Sequence, residues 1–138
     1  MASDLGSDLG DAELEVLRIL WDEGPRTVRE VMNHLHERGR KVAYTTVLTF
    51  LTRLEQKQFV RSDKSGVAYV YKPTVTRERV TRSRLRAIAD QLFDGTVGSL
   101  VLHLMREETF SRREINELHQ LIDQLDTNRR TPGRPSTS

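Results

Sequence analysis

Ala43-Tyr-Thr-Thr-Val-Leu-Thr-Phe-Leu-Thr-Arg-Leu54 decides how the rest of the chain is read. Its apolar residues Val47, Leu48, Leu51 and Leu54 recur at helical spacing, so one face is built for burial. The opposite face carries Thr45, Thr46, Thr49 and Thr52 and ends in Arg53. Threonine is a mediocre helix former, because its β-branch restricts χ1 against the preceding turn. Four threonines on an exposed face weaken the helix and add nothing to its packing. They make sense where the face must lie against something that takes short hydroxyls, methyls and a guanidinium. The major groove of DNA is such a surface: threonine serves phosphates, base edges and the thymine methyl, and arginine serves guanine. The stretch reads as a candidate recognition helix.

Working outward, a first helix is expected over Asp11–Glu23, with Leu14, Leu17, Leu20 and Trp21 in the core, stopped by Gly24-Pro25. Thr27-Val-Arg-Glu30 is a capping box that opens a second helix, whose apolar face is Val28, Val31, Met32 and Leu35 and whose end is Gly39. A short basic link leads into the threonine helix, completing a helix-turn-helix. The pattern then changes to alternation. Phe59–Ser62 and Val67–Tyr71 read as strands joined by a turn at Asp63–Gly66, which makes a winged helix with its wing tip near Lys64. Further helices are expected over Thr76–Asp94, around Ser99–Met105, and after the capping box Ser111-Arg-Arg-Glu114. The fold class is mainly α: a flexible start (1–10), an N-terminal winged helix-turn-helix with a small β-hairpin wing (11–74), a C-terminal three-helix dimerisation domain (75–126) and a disordered tail (127–138). Three helices this apolar do not easily form a compact monomeric core in about 50 residues. Burial against a second copy through Leu92, Phe93, Leu100, Leu102, Ile115, Leu118, Leu121 and Ile122 is the economical solution.

The formal net charge of +2 conceals segregation. Residues 1–24 carry −6, residues 25–86 carry +10, residues 87–126 carry −5, and residues 127–138 add +3. The basic block is a footprint for a polyanion and coincides with the threonine helix. Thr45, Thr46, Thr49 and Arg53 are the candidate groove contacts, with Tyr44 beside them and Arg40, Lys41, Lys57, Lys64 and Lys72 as candidate phosphate contacts. The arginines between 77 and 86 read as a solvated helix face. No run approaches a membrane span, the N-terminus lacks a signal-peptide pattern, and there is no cysteine, which together point to a cytoplasmic protein with no membrane insertion. His34 and His36 face apart on one helix, and His103 and His119 lie on different helices, so no metal is assigned. No phosphate loop, catalytic carboxylate pair, nucleophile-base motif or cofactor signature is present, and the chain does not read as an enzyme.

Glu13-Leu-Glu-Val-Leu-Arg-Ile-Leu-Trp21, Tyr44-Thr-Thr-Val47, Leu51-Thr-Arg-Leu54, Tyr69-Val-Tyr71 and Gly98-Ser-Leu-Val-Leu102 occur in an order that resembles the penicillinase and methicillin-resistance repressors, over about residues 9–125. Copper-responsive repressors of lactic acid bacteria belong to the same family. The resemblance implies a homodimer that binds a palindromic double-stranded DNA operator and represses transcription. It also implies a membrane-embedded sensor metalloprotease as partner, with relief by cleavage in the dimerisation domain. Three departures stand out. The cysteine metal motif of the copper branch is missing, which excludes copper sensing by that route. His103-Leu104 stands where the β-lactam branch has its cleaved Asn-Phe bond. Gln58 replaces the glycine that usually ends the recognition helix, so it either adopts a left-handed backbone or the helix ends differently. Two rivals remain on the residues alone: a ligand-sensing winged-helix regulator, and a winged-helix protein-interaction module.

Overall fold

The computed structural model describes residues 9–130. Helix α1 (Asp11–Glu23) leads through strand β1 (Arg26–Thr27) into α2 (Val28–Glu37) and α3 (Tyr44–Gln56). Strands β2 (Val60–Asp63) and β3 (Val70–Pro73) follow, then α4 (Arg77–Leu92), α5 (Val97–Glu107) and α6 (Arg112–Arg130). The architecture is mainly α, with a winged helix-turn-helix at its N-terminal end. The chain divides into two compact units after Val97.

In the first unit the apolar faces of α1, α2 and α3 close on one another around Val16, Leu17, Leu20, Val31, Leu35, Val47, Leu51 and Leu54. Each fully buried aliphatic side chain contributes about 1.5–3 kcal/mol. The capping box of α2 forms as read: the Glu30 amide donates to Thr27 Oγ1 at 3.2 Å, and the Thr27 amide donates to Glu30 Oε1 at 2.9 Å. Trp21 is only half-buried. It lies at the margin of the core, where its indole N–H donates to the Val75 carbonyl at 2.9 Å and Arg77 stacks on its ring.

The sheet has three strands in the order β1-β3-β2, all antiparallel. The two-residue β1 is absent from the sequence reading, since it exists only by pairing Arg26 with Tyr71 and Thr27 with Val70. The hairpin is also looser than expected. Its strands begin later, and residues 64–69 form the wing loop instead of a tight turn at Asp63–Gly66. Asp63 pins the base of that loop by accepting from the Ser65 hydroxyl at 2.7 Å and its amide at 2.9 Å, which hold its carboxyl below the usual range.

Helices α2 and α3 end by one device. After α2, Gly39 takes φ +87, with the Arg40 amide bonded to the Leu35 carbonyl and the Gly39 amide to that of His36. After α3, Gln58 takes φ 67, with Phe59 bonded back to Leu54 and Gln58 to Glu55. Both are Schellman motifs, and at Gln58 a side chain occupies the left-handed position that glycine normally fills. Phe59 and Leu54, which flank the motif, are both fully buried and fix it in place.

Helix α4 falls within residues 75–126, the expected C-terminal domain. The structure groups it with the winged helix, through core residue Val80, the ion pair of Arg77 with Asp22, and a 3.1 Å bond from Arg84 to the Leu9 carbonyl. Leu9 is buried and Gly10 caps α1, so the expected flexible start does not hold for those two residues; residues 1–8 lie outside the described part. The second unit contains most of α5 and all of α6, the latter opened by the reciprocal bonds of Ser111 and Glu114. Helix α6 runs to Arg130, so residues 127–130 are helical where a disordered tail was expected, and 131–138 lie outside the described residues.

Candidate nucleic-acid interface

Helix α3 is positioned by its own amphipathicity. With Val47, Leu51 and Leu54 driven fully inside, Tyr44, Thr45, Thr49, Thr52 and Arg53 are exposed. Thr46 is half-buried and leaves the outer row. Leu48, expected in the core, is 38% exposed and joins the outer face. The Thr49 hydroxyl donates to the Thr45 carbonyl at 3.0 Å, a bond within the helix that commits its proton.

The basic candidates sort into two groups. Lys41, Arg53 and Lys72 are exposed and make no ion pair among the described residues. Lys64, on the wing, lies over the Tyr69 ring at 5.5 Å. Arg40 and Lys57 are turned to internal partners. Arg40 pairs with Glu15 of α1. Lys57 Nζ lies 2.9 Å from Oε1 of Glu13, whose side chain is only 7% exposed. Burial pushes the Glu13 carboxyl up; the bond and charge of Lys57, the Gly10 amide and the field of Arg53 outweigh it and leave the pKa lowered. Lys57 thus locks the end of α3 to the start of α1.

Sequence reasoning missed two cations at this surface. Arg29, near the start of α2, stacks over the Tyr44 ring at 5.5 Å and extends the basic face beyond α3. The exposed Arg61 of β2 stands directly opposite Lys72 of β3. Like charges paired across two strands are destabilising in isolation, which is offset where a polyanion lies against them. Arg29 was signalled by its outward position between the buried Val28 and Val31, and Arg61 by alternation in its strand. An open cleft of about 570 Å³ runs between the starts of α2 and α3 and the wing, lined by Arg29, Tyr44, Leu48, Val67, Tyr69 and Tyr71 among others.

The helical C-terminal candidates fall into a separate set. Leu92, Leu102, Leu121 and Ile122 are exposed, Phe93, Ile115 and Leu118 are half-buried, and Leu100 is buried. His103 and Leu104 lie in the interior of α5 and are exposed. Among the described residues no three metal-ligating side chains cluster, and no helix is long and apolar enough to cross a membrane.

A family model for penicillinase repressors matches residues 9–124. The penicillinase repressor of Bacillus licheniformis is 28% identical over 116 residues, spanning 84% of this chain and 90% of the relative. The transcriptional regulator BlaI of Mycobacterium tuberculosis (strain CDC 1551 / Oshkosh) is 33% identical over 120 residues, spanning 86% and 85%. Among solved structures, the hsRosR-S4 complex superposes with a TM-score of 0.52 at 19% identity, over 92% of this chain and 98% of that one, a likeness of fold. With a match over nearly all of its described residues, the chain belongs to the penicillinase repressor family, whose named members are transcriptional repressors and not enzymes.

Proposed function

We propose that the chain is a homodimeric repressor that places α3 in the major groove of a palindromic operator and the wing on flanking phosphates. The observation that carries this reading is the exposed row Thr45, Thr49, Thr52 and Arg53, on a helix whose other face is fully buried and whose surroundings are basic. Arg53 acts on a base edge. Lys41, Arg61, Lys64 and Lys72 act on phosphates, and Tyr44, steadied by Arg29, lies beside them. The exposed apolar residues of α5 and α6 form the contact with the second copy, together with Leu92. Two heads then read half-sites one turn or a multiple apart, at about 10–10.5 bp per turn.

The test is a gel-shift titration across salt. About eight phosphate contacts shared by two heads give a log–log slope near −7, at about −0.9 per contact. Weak binding that does not respond to salt refutes the reading. Relief of repression is proposed to come from a membrane-embedded sensor metalloprotease cutting at His103-Leu104. The bond is exposed but helical, so the protease must first unwind a turn of α5. Mass spectrometry of the fragments formed with that protease tests the bond: new termini elsewhere, or none, refute it.

A further inference from the structure

Leu48 occupies the outer face of α3, one turn after Tyr44 and one turn before Thr52. Its position follows from the packing. Val47, Leu51 and Leu54 fill the buried face, and Leu48 is left outside the core cluster with 38% of its surface exposed. A lone exposed leucine is ordinary on a protein surface. This one is surrounded by the proposed reading residues, with Thr45 and Thr49 as neighbours and the cleft beyond Tyr44 at its flank. Thr49, next along the face, has its hydroxyl proton given to the Thr45 carbonyl and so offers no free donor there.

A major groove offers donors and acceptors on every base pair, and its apolar group is the C5-methyl of thymine. Leu48 has no hydrogen-bonding atom, so a base edge whose only features are donors or acceptors loses water there and gains no partner. We propose that Leu48 is a specificity-determining residue that seats the 5-methyl of one thymine in each half-site. This rests on the DNA-reading role proposed above. It adds the base that α3 selects by an apolar contact, complementing the polar contact of Arg53.

The experiment begins with the full chain and a random double-stranded DNA library, from which a bound site is enriched. Each thymine of that site is then replaced in turn by uracil, which removes the methyl and nothing else. The wild-type chain is expected to lose about four-fold in affinity at one thymine per half-site, and about 15-fold when both half-sites are changed, the effect of one buried methyl at each. Leu48→Met keeps an apolar side chain of similar reach and is expected to keep that loss. Leu48→Ala does not reach the base and is expected to bind thymine and uracil sites equally. A wild-type chain indifferent to uracil at every position overturns the assignment, as does a Leu48→Ala chain that retains the full loss. Failure to enrich any sequence refutes the DNA-reading role itself, and Leu48's part with it; an enriched site indifferent to uracil refutes only the latter.

Discussion

Lys57→Ala is expected to weaken the fold and leave DNA affinity nearly unchanged, although its place after the recognition helix marks it as a phosphate contact. Its ammonium lies 2.9 Å from a Glu13 carboxylate whose side chain is 7% exposed, so truncation strands a charge away from water. A hydrogen bond to a charged group contributes about 1.5–3 kcal/mol. Lys57 is itself 29% exposed, and the water that reaches it places the loss at the lower end, about 1.5–2 kcal/mol. Urea unfolding measures it: with a slope of about 1–3 kcal/mol per molar, the midpoint falls by about 1 M. The pH dependence has a definite sign. Because Glu13's folded pKa is lowered, its stabilisation is complete above the ordinary value of 4.5 and is lost as pH falls through the lower folded value. The gap between wild type and Lys57→Ala is therefore full at pH 7 and shrinks progressively in acid. Glu13→Gln in the Lys57→Ala background restores much of the loss, since no charge is then stranded. A Lys57→Ala chain that unfolds at the wild-type midpoint and lowers the salt slope by about 1.8 refutes the reasoning, because Lys57 would then be neutralising a phosphate in each head.

Arg53→Ala should relax base preference at one position of each half-site by about 1–3 kcal/mol, while Lys64→Ala removes one contact per head and should weaken all sequences alike and flatten the salt slope by about 1.8; competition binding on specific and random DNA separates the two. Gln58→Gly should stabilise the chain by about 0.5–1 kcal/mol in thermal unfolding. It removes the strain of a side chain at φ 67, partly offset by the greater freedom of glycine in the unfolded chain, and a lower melting temperature contradicts this. Leu121→Glu combined with Leu125→Glu places carboxylates on the exposed stripe of α6, and sedimentation should show monomers at concentrations where the wild type is dimeric. An unchanged sedimentation profile removes α6 from the proposed dimer contact.

The features legible in the sequence are those that a local pattern specifies. The Thr27–Glu30 and Ser111–Glu114 boxes depend on residues three apart, and both form with the bonds their spacing requires. The buried face of α3 follows from helical period, except at Leu48. There the period alone does not say where the core stops, because the width of a buried stripe is set by the neighbouring helices. Strand β1 carries no signal of its own, since two residues become a strand only when β3 lies alongside.

The candidate site shows the same division. Thr45, Thr49 and Arg53 could be read because they share one helix face. Lys57 and Arg40 could not be separated from Lys41 and Lys72 by sequence, because what distinguishes them is a carboxylate far along the chain. Glu13 is 44 positions from Lys57, and Glu15 is 25 from Arg40. Composition counts such cations as free charge, while folding assigns them to internal partners. Gln58 falls between the two cases: the resemblance leaves either a left-handed residue or a different helix end there, and the buried pair Phe59 and Leu54 explains how a side chain is held in the left-handed conformation.

The anchoring of α4 has a mechanical consequence. Core residue Val80, the Trp21–Val75 bond, the Arg77–Asp22 pair and the Arg84–Leu9 bond fasten this helix to the body that carries α3. Its 16 residues extend about 24 Å at 1.5 Å each. Held as far as Arg84, it acts as a lever arm over its last eight residues, about 12 Å, where a tilt of about 16° moves the far end by about 3.4 Å, the height of one base-pair step. In the dimer proposed above, a small angular change at the far end of α4 would displace the reading helix by a whole step, so an operator would be released by a change in angle without unfolding of the reading head.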